Sequence, residues 1–204
     1  MRQKLALFAL LCVSAAAGQT LNGGNVLTVV LKGQTPSGPV LEAIEREVNT
    51  AIEPSGVRLN WRPQGLAAGE VSGQVAIIQM RGQCTAAARV RADLPQAEPL
   101  GQTHVVNGQV LPFADLLCDA VHKLVDRDLR RVAPAEREEL LGRALGRVLA
   151  HELYHILLRS TGHGSHGLSR SEQSSAELLA PENTFAASDE RRMAESADSG
   201  GGGR

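Results

Sequence analysis

Apolar residues along this chain recur with two different periods. Asn25 to Leu31 (NVLTVVL) is a β-branched run that reads as a strand. Gly33 to Gly38 is a turn-rich connection. From Pro39 to Glu53 the positions Val40, Leu41, Ile44, Val48 and Ile52 share one helical face, with Glu42, Glu45, Arg46 and Glu47 mostly elsewhere. Pro54-Ser55-Gly56 ends that helix. Val57, Leu59 and Trp61 then alternate with Arg58, Asn60 and Arg62, as in a half-buried strand, and Gln74 to Met80 (QVAIIQM) reads as an inner strand. The front half is therefore β-α-β-β, and the first crossover is consistent with parallel pairing.

Thr103 to Val106 and Gln109 to Phe113 flank Asn107-Gly108, which predicts a hairpin with a tight turn. Leu117, Val121, Leu124 and Val125 recur at helical spacing and predict a helix over 114–131. Pro134 suits a first helical turn. From there to about Ser160 runs the strongest helix, with Leu141, Leu145, Val148, Leu149, Leu153, Ile156 and Leu157 on its apolar side. Gly162 and Gly164 break it. Ser171 to Ala180 predicts a short helix. Residues 181–204 are polar, end in ADSGGGGR and read as a disordered tail.

The first residues bear on compartment. A basic start (MRQK) precedes the apolar run LALFALLCVSAAA, and Ala15-Ala16-Ala17 supplies small residues for cleavage near Ala17 or Gly18. Residues 1–18 thus read as a secretory signal, too short for a membrane span. Cys12 lies within it after Leu11, where a lipid-anchor motif wants a small residue. The mature chain is expected to be exported and soluble, with no stable membrane insertion. Richness in Ala, Gly, Arg and Leu fits a bacterial source, which would make the destination the periplasm or the medium.

Removal of that leader leaves Cys84 and Cys118, an even pair that predicts a disulfide in an oxidising compartment. The formal net charge of −1 offers no basic patch for nucleic acid. Aromatic residues are 2% of the chain, so the core must come from Leu, Val, Ile and Ala.

The chemistry concentrates in 148–167, VLAHELYHILLRSTGHGSHG, which carries four of the six histidines. His151 and His155 are one helical turn apart and can offer two nitrogens to one ion, at about 2.0–2.1 Å for zinc. Glu152 is offset by about 100° around the axis. There its carboxylate can hold a metal-bound water, take its proton and pass it to a leaving amine. A packing or capping histidine pair is the ordinary alternative. Uncharged flanks (Val148, Leu149, Ala150, Leu153, Tyr154, Ile156, Leu157), the lack of an interrupting proline and the histidine-bearing glycine turn count against it.

The stretch resembles the active-site helix of zincin metallopeptidases, and the order of elements before it resembles the metzincin-like branch. The resemblance spans roughly residues 25 to 170, with specific motif support only over 148–163. It implies an α+β fold in residues 22–180, a twisted mixed sheet packed on a long active-site helix with additional helices. It further implies Zn²⁺ as cofactor, His151 and His155 as ligands, Glu152 as general base, and peptide or protein substrates. The metzincin pattern wants a glycine and a third histidine where this chain has Leu158 and Thr161. The next histidine, His163, is two residues late and is the expected third ligand. His166 is an alternative, and a gluzincin-like arrangement would use Glu177 or Glu172, although Ser174 to Glu177 is also a capping-box pattern.

Two family features have no match. Met193 is the only later methionine and sits in the polar tail. No tyrosine follows the motif, and Tyr154 reads as a packing residue. Arg159, Arg170 or an unliganded His166 are candidates for oxyanion contact. His104 and His122 read as surface or core histidines, Thr103 to Val106 as an edge strand able to pair with an extended peptide, and Arg127 to Arg131 as a solvated helix end. A secreted zinc metallopeptidase is the leading expectation. An exported, non-catalytic zinc-binding or interaction domain is the alternative, and a metal-free structural domain the third.

Overall fold

The structure is a computed structural model that describes residues 25–62, 73–88 and 98–200. The expected leader (1–18) and residues 201–204 of the expected tail lie outside them. Among the described residues the fold is α+β, a mixed five-stranded sheet with five helices. The strands are β1 (Val26–Gly33), β2 (Arg58–Arg62), β3 (Gln74–Arg81), β4 (Gly101–Val106) and β5 (Gln109–Leu117). Their order is β2-β1-β3-β5-β4; all neighbours are parallel except the β4–β5 hairpin. The helices are α1 (Gly38–Ile52), α2 (Cys118–Leu129), α3 (Pro134–Leu158), α4 (Ser175–Leu179) and α5 (Ala187–Gly200).

The sheet follows from alternation. Leu27 and Val29 of β1, Ala76, Ile78 and Met80 of β3, and Ala114 and Leu116 of β5 are all buried, each set spaced by two. They meet the apolar faces of α1 (Val40, Ile44, Val48) and α3 (Leu141, Leu145, Leu149) in one core. The two helices touch at backbone level because α3 carries Gly142 and Gly146. A Cβ at 142 would lie 2.4 Å from the Ala43 Cβ and 2.7 Å from the Val40 carbonyl, and one at 146 would lie 2.8 Å from the Glu47 Cβ. Beside this contact Arg147, 2% exposed, reaches the Glu47 carboxylate and the carbonyls of Glu177 and Leu178.

The hairpin turn is as expected, with Asn107 and Gly108 both at positive φ (51° and 76°), the backbone an Asn-Gly turn favours. Three boundaries differ from expectation. Residues 114–117 continue β5 rather than opening α2, because Ala114 and Leu116 pair with Ile78 and Met80 and bury alternately. The helix expected over 171–180 shortens to α4, preceded by a 3-10 turn at Gly167–Ser169. The expected disordered tail instead contains α5. Its stripe Asp189, Met193 and Ala197 is buried, and Phe185 stacks on Tyr154 with ring centroids 5.4 Å apart. Mean polarity concealed this stripe, since three inward positions one turn apart suffice to dock a short helix.

Cys84 and Cys118 form a disulfide between the segment after β3 and the start of α2, 34 residues apart in sequence. Beside it, the Asp119 carboxylate accepts the Gln83 N–H at 2.8 Å. Replacing both cysteines with serine is expected to lower the unfolding free energy by roughly 3–4 kcal/mol, the loop-closure contribution for this length. A urea titration of both proteins reads this as a lower midpoint; an unchanged midpoint would show that the bridge does not constrain the unfolded chain.

Candidate metal centre

Helix α3 is almost wholly buried from Leu141 to Leu157. It ends at Leu158 because Arg159 takes the left-handed conformation (φ 50°, ψ 39°), and the Ser160 N–H then returns to the His155 carbonyl at 3.2 Å. The reversal comes before Gly162, and it turns the following segment back along the helix. His163 is thereby brought to His151 and His155, its ring centroid 5.3 Å and 4.8 Å from theirs. One nitrogen from each of the three rings lies within 4.8 Å of the others, and among the described residues this is the group able to hold a metal ion.

The protonation of the pair on α3 is set by its partners. His151 Nδ1 lies 2.7 Å from the Leu168 carbonyl, and His155 Nδ1 lies 2.8 Å from the Ser160 carbonyl. A carbonyl only accepts, so both Nδ1 atoms carry the hydrogen. Burial holds both imidazoles below the usual histidine pKa, and for His155 the neighbouring His151 adds to the effect. Both Nε2 atoms then present lone pairs, and they face each other at 3.1 Å. Two zinc-bonded nitrogens in a tetrahedron are about 3.3 Å apart. The contact has the separation of two ligands on one cation, and two opposed lone pairs repel unless a cation lies between them. The donor set therefore fits a divalent ion that accepts imidazole nitrogen.

Glu152 is 5% exposed. Thr103 on β4 donates its hydroxyl to Glu152 Oε2 at 2.6 Å. Gly101, two residues earlier, lies against the other oxygen: a Cβ there would be 2.6 Å from Oε1. Burial raises the Glu152 pKa, opposed by the Thr103 hydrogen bonds and by His155. The carboxylate is thus gripped on one oxygen and left uncovered by any side chain at 101 on the other.

These groups open on one cleft of about 290 Å³, walled by Leu100, Val105, Val110 and Val148 on its apolar side and by Arg170, Ser171 and Gln173 elsewhere. Strand β4 is a sheet edge, with Val105 and Val106 43% and 52% exposed.

The other expected candidates fall elsewhere. His166 is exposed, with Nδ1 2.6 Å from the Ser165 hydroxyl, and is not in the group. Glu177 closes a capping box with Ser174 and pairs with Arg170, and Glu172 is exposed. Of the three oxyanion candidates only Arg170 lines the cleft. His104 is a surface residue beside Asp115, and His122 is buried, its pKa lowered by that burial. Arg130 and Arg131 pair with Asp126 and Asp128 at the solvated end of α2.

Sequence reasoning missed the supporting atoms. The Leu168 and Ser160 carbonyls carry no side-chain signal, and Thr103 and Gly101 approach Glu152 only through folding. No protein-family model, curated protein or solved structure matches the chain. No helix among the described residues is long and apolar enough to cross a membrane.

Proposed function

We propose that this protein is an exported, zincin-like zinc metallopeptidase. The observation that carries the reading is the convergence of His151, His155 and His163 beside a buried glutamate in an open cleft. A mixed sheet packed on the long helix that bears the motif supports the zincin-like assignment. Imidazole donors with carbonyl-oriented Nδ1 atoms favour zinc over harder cations.

When bound, zinc supplies Lewis acidity that lowers the pKa of water toward ~7 and polarises a substrate carbonyl. His151, His155 and His163 hold the ion. Glu152 takes a proton from the attacking water on Oε1, while Thr103 keeps Oε2 in place. The same carboxylic acid then delivers that proton to the departing amine. The edge strand β4 offers unpaired backbone groups to an extended peptide, and Leu100, Val105 and Val148 offer it an apolar wall. Arg170, held by Glu177, is the cation available to the developing oxyanion.

Mature protein loaded with one zinc equivalent is expected to cleave casein, and a chelator is expected to stop cleavage until zinc is restored. Stoichiometric zinc with no cleavage of casein or of a peptide library would sink the peptidase reading and leave a metal-binding module.

A further inference from the structure

We propose that the C-terminal helix α5 is a working part of the metal centre: through Asp189 it positions Ser169, and with it the loop that carries His163 and the carbonyl that orients His151. The inference rests on the three-histidine metal reading.

The loop from Ser160 to Arg170 has little structure of its own beyond the Gly167–Ser169 turn. It is shaped by what it packs on. Ser169 is fully buried, and its hydroxyl donates to Asp189 Oδ2 at 2.7 Å. The Ser169 carbonyl accepts the Gly164 N–H at 2.8 Å, one residue from His163. Gly164 has no room for a side chain there, since a Cβ would sit 2.1 Å from the Ser169 hydroxyl and 3.1 Å from Asp189 Oδ2. On the other side of Ser169, the Leu168 N–H reaches the Thr184 carbonyl at 3.1 Å, and the Leu168 carbonyl receives His151 Nδ1. The segment leading into α5 and the first turn of α5 thus hold both ends of the turn that supports the ligands.

Asp189 also reaches α3 directly. Its Oδ1 accepts from the Tyr154 hydroxyl at 3.3 Å, and Arg192 bonds both atoms at 3.3 Å and 3.1 Å. Tyr154 precedes the ligand His155. One carboxylate, 6% exposed, therefore joins the ligand helix to the ligand loop. A buried carboxylate is costly unless donors surround it, and here three do, drawn from three separate segments. Asp189 and Ser169 are positioning residues; neither is placed to touch an ion.

The full mature chain carries the test. Zinc affinity is measured by competition with a chromophoric chelator, and the melting temperature of the zinc-free protein is measured alongside. Ser169→Ala and Asp189→Asn are each expected to weaken zinc binding about 10-fold or more, the range for groups that orient metal ligands. Ser196→Ala is the control. It removes the bond from the Ser196 hydroxyl to the Leu157 carbonyl, 2.6 Å, on the same helix but away from the loop. It is expected to lower the zinc-free melting temperature while leaving affinity within twofold. Affinities of Ser169→Ala and Asp189→Asn within twofold of wild type would overturn the inference alone, as would losses matched by Ser196→Ala. A wild-type protein that binds no zinc would overturn the metal reading and this inference with it. Ser169→Ala removes a single hydroxyl and keeps the test decisive should Asp189→Asn fail to fold.

Discussion

Glu152→Gln is expected to lower peptide hydrolysis by roughly three orders of magnitude, the contribution of a positioned general base, while stoichiometric zinc is retained. The substitution preserves shape. Thr103 can still donate to the side-chain oxygen at the position of Oε2. The small space over Gly101 then receives an amide in place of Oε1. Only the proton-accepting oxygen is lost, and no unpaired charge is left in the buried site. His151 and His155 keep their carbonyl partners, because neither Leu168 nor Ser160 touches the changed atoms. Elemental analysis of the purified variant and a steady-state assay on a quenched peptide give the two readouts. Hydrolysis within tenfold of wild type, at full zinc occupancy, would remove Glu152 from the role of base.

His163→Ala is expected to weaken zinc binding by about two orders of magnitude, whereas His166→Ala is expected to leave it unchanged. Structural zinc sites bind with roughly 10–16 kcal/mol spread over their ligands, so one ligand accounts for about 3 kcal/mol. His163 is exposed and outside the packed core, which makes its removal a loss of a donor rather than of the fold. His166 faces solvent beside Ser165 and is not among the three converging nitrogens. Glu177→Gln is informative in the same assay because its carboxylate already serves the Ser174 cap and Arg170. The reading of His163 as third ligand fails if its alanine variant matches wild type, and most of all if His166→Ala or Glu177→Gln shows the loss instead.

Much of this architecture is legible along the chain because single-faced elements leave a periodic trace. Strands β1, β2 and β3, helix α1 and helix α3 all fall where alternation or helical spacing places them. The motif histidines are legible for the same reason, since a separation of four residues on a helix fixes their mutual side. What escapes is non-local. Ala114 and Leu116 sit at a junction where a period of two passes into a period of 3.6, and the helical match of Leu117 and Val121 masks the last turnless residues of β5. Helix α5 escapes because Met193 and Ala197 are its only apolar inward residues, and its other buried position is an aspartate satisfied by Tyr154, Ser169 and Arg192. The return of His163 to the motif depends on the backbone of Arg159, a residue type rarely found at positive φ.

The paired glycines on α3 have a bearing on how the centre fills. Gly142 and Gly146 seat that helix against the Val40 and Ile44 carbonyl region of α1, so closely that neither position has room for a Cβ. His151 lies just beyond this anchored stretch, and His155 one turn further. An ion entering the proposed centre would therefore find two teeth on a helix already anchored to its neighbour, and the third on a glycine-flanked loop outside that anchored stretch.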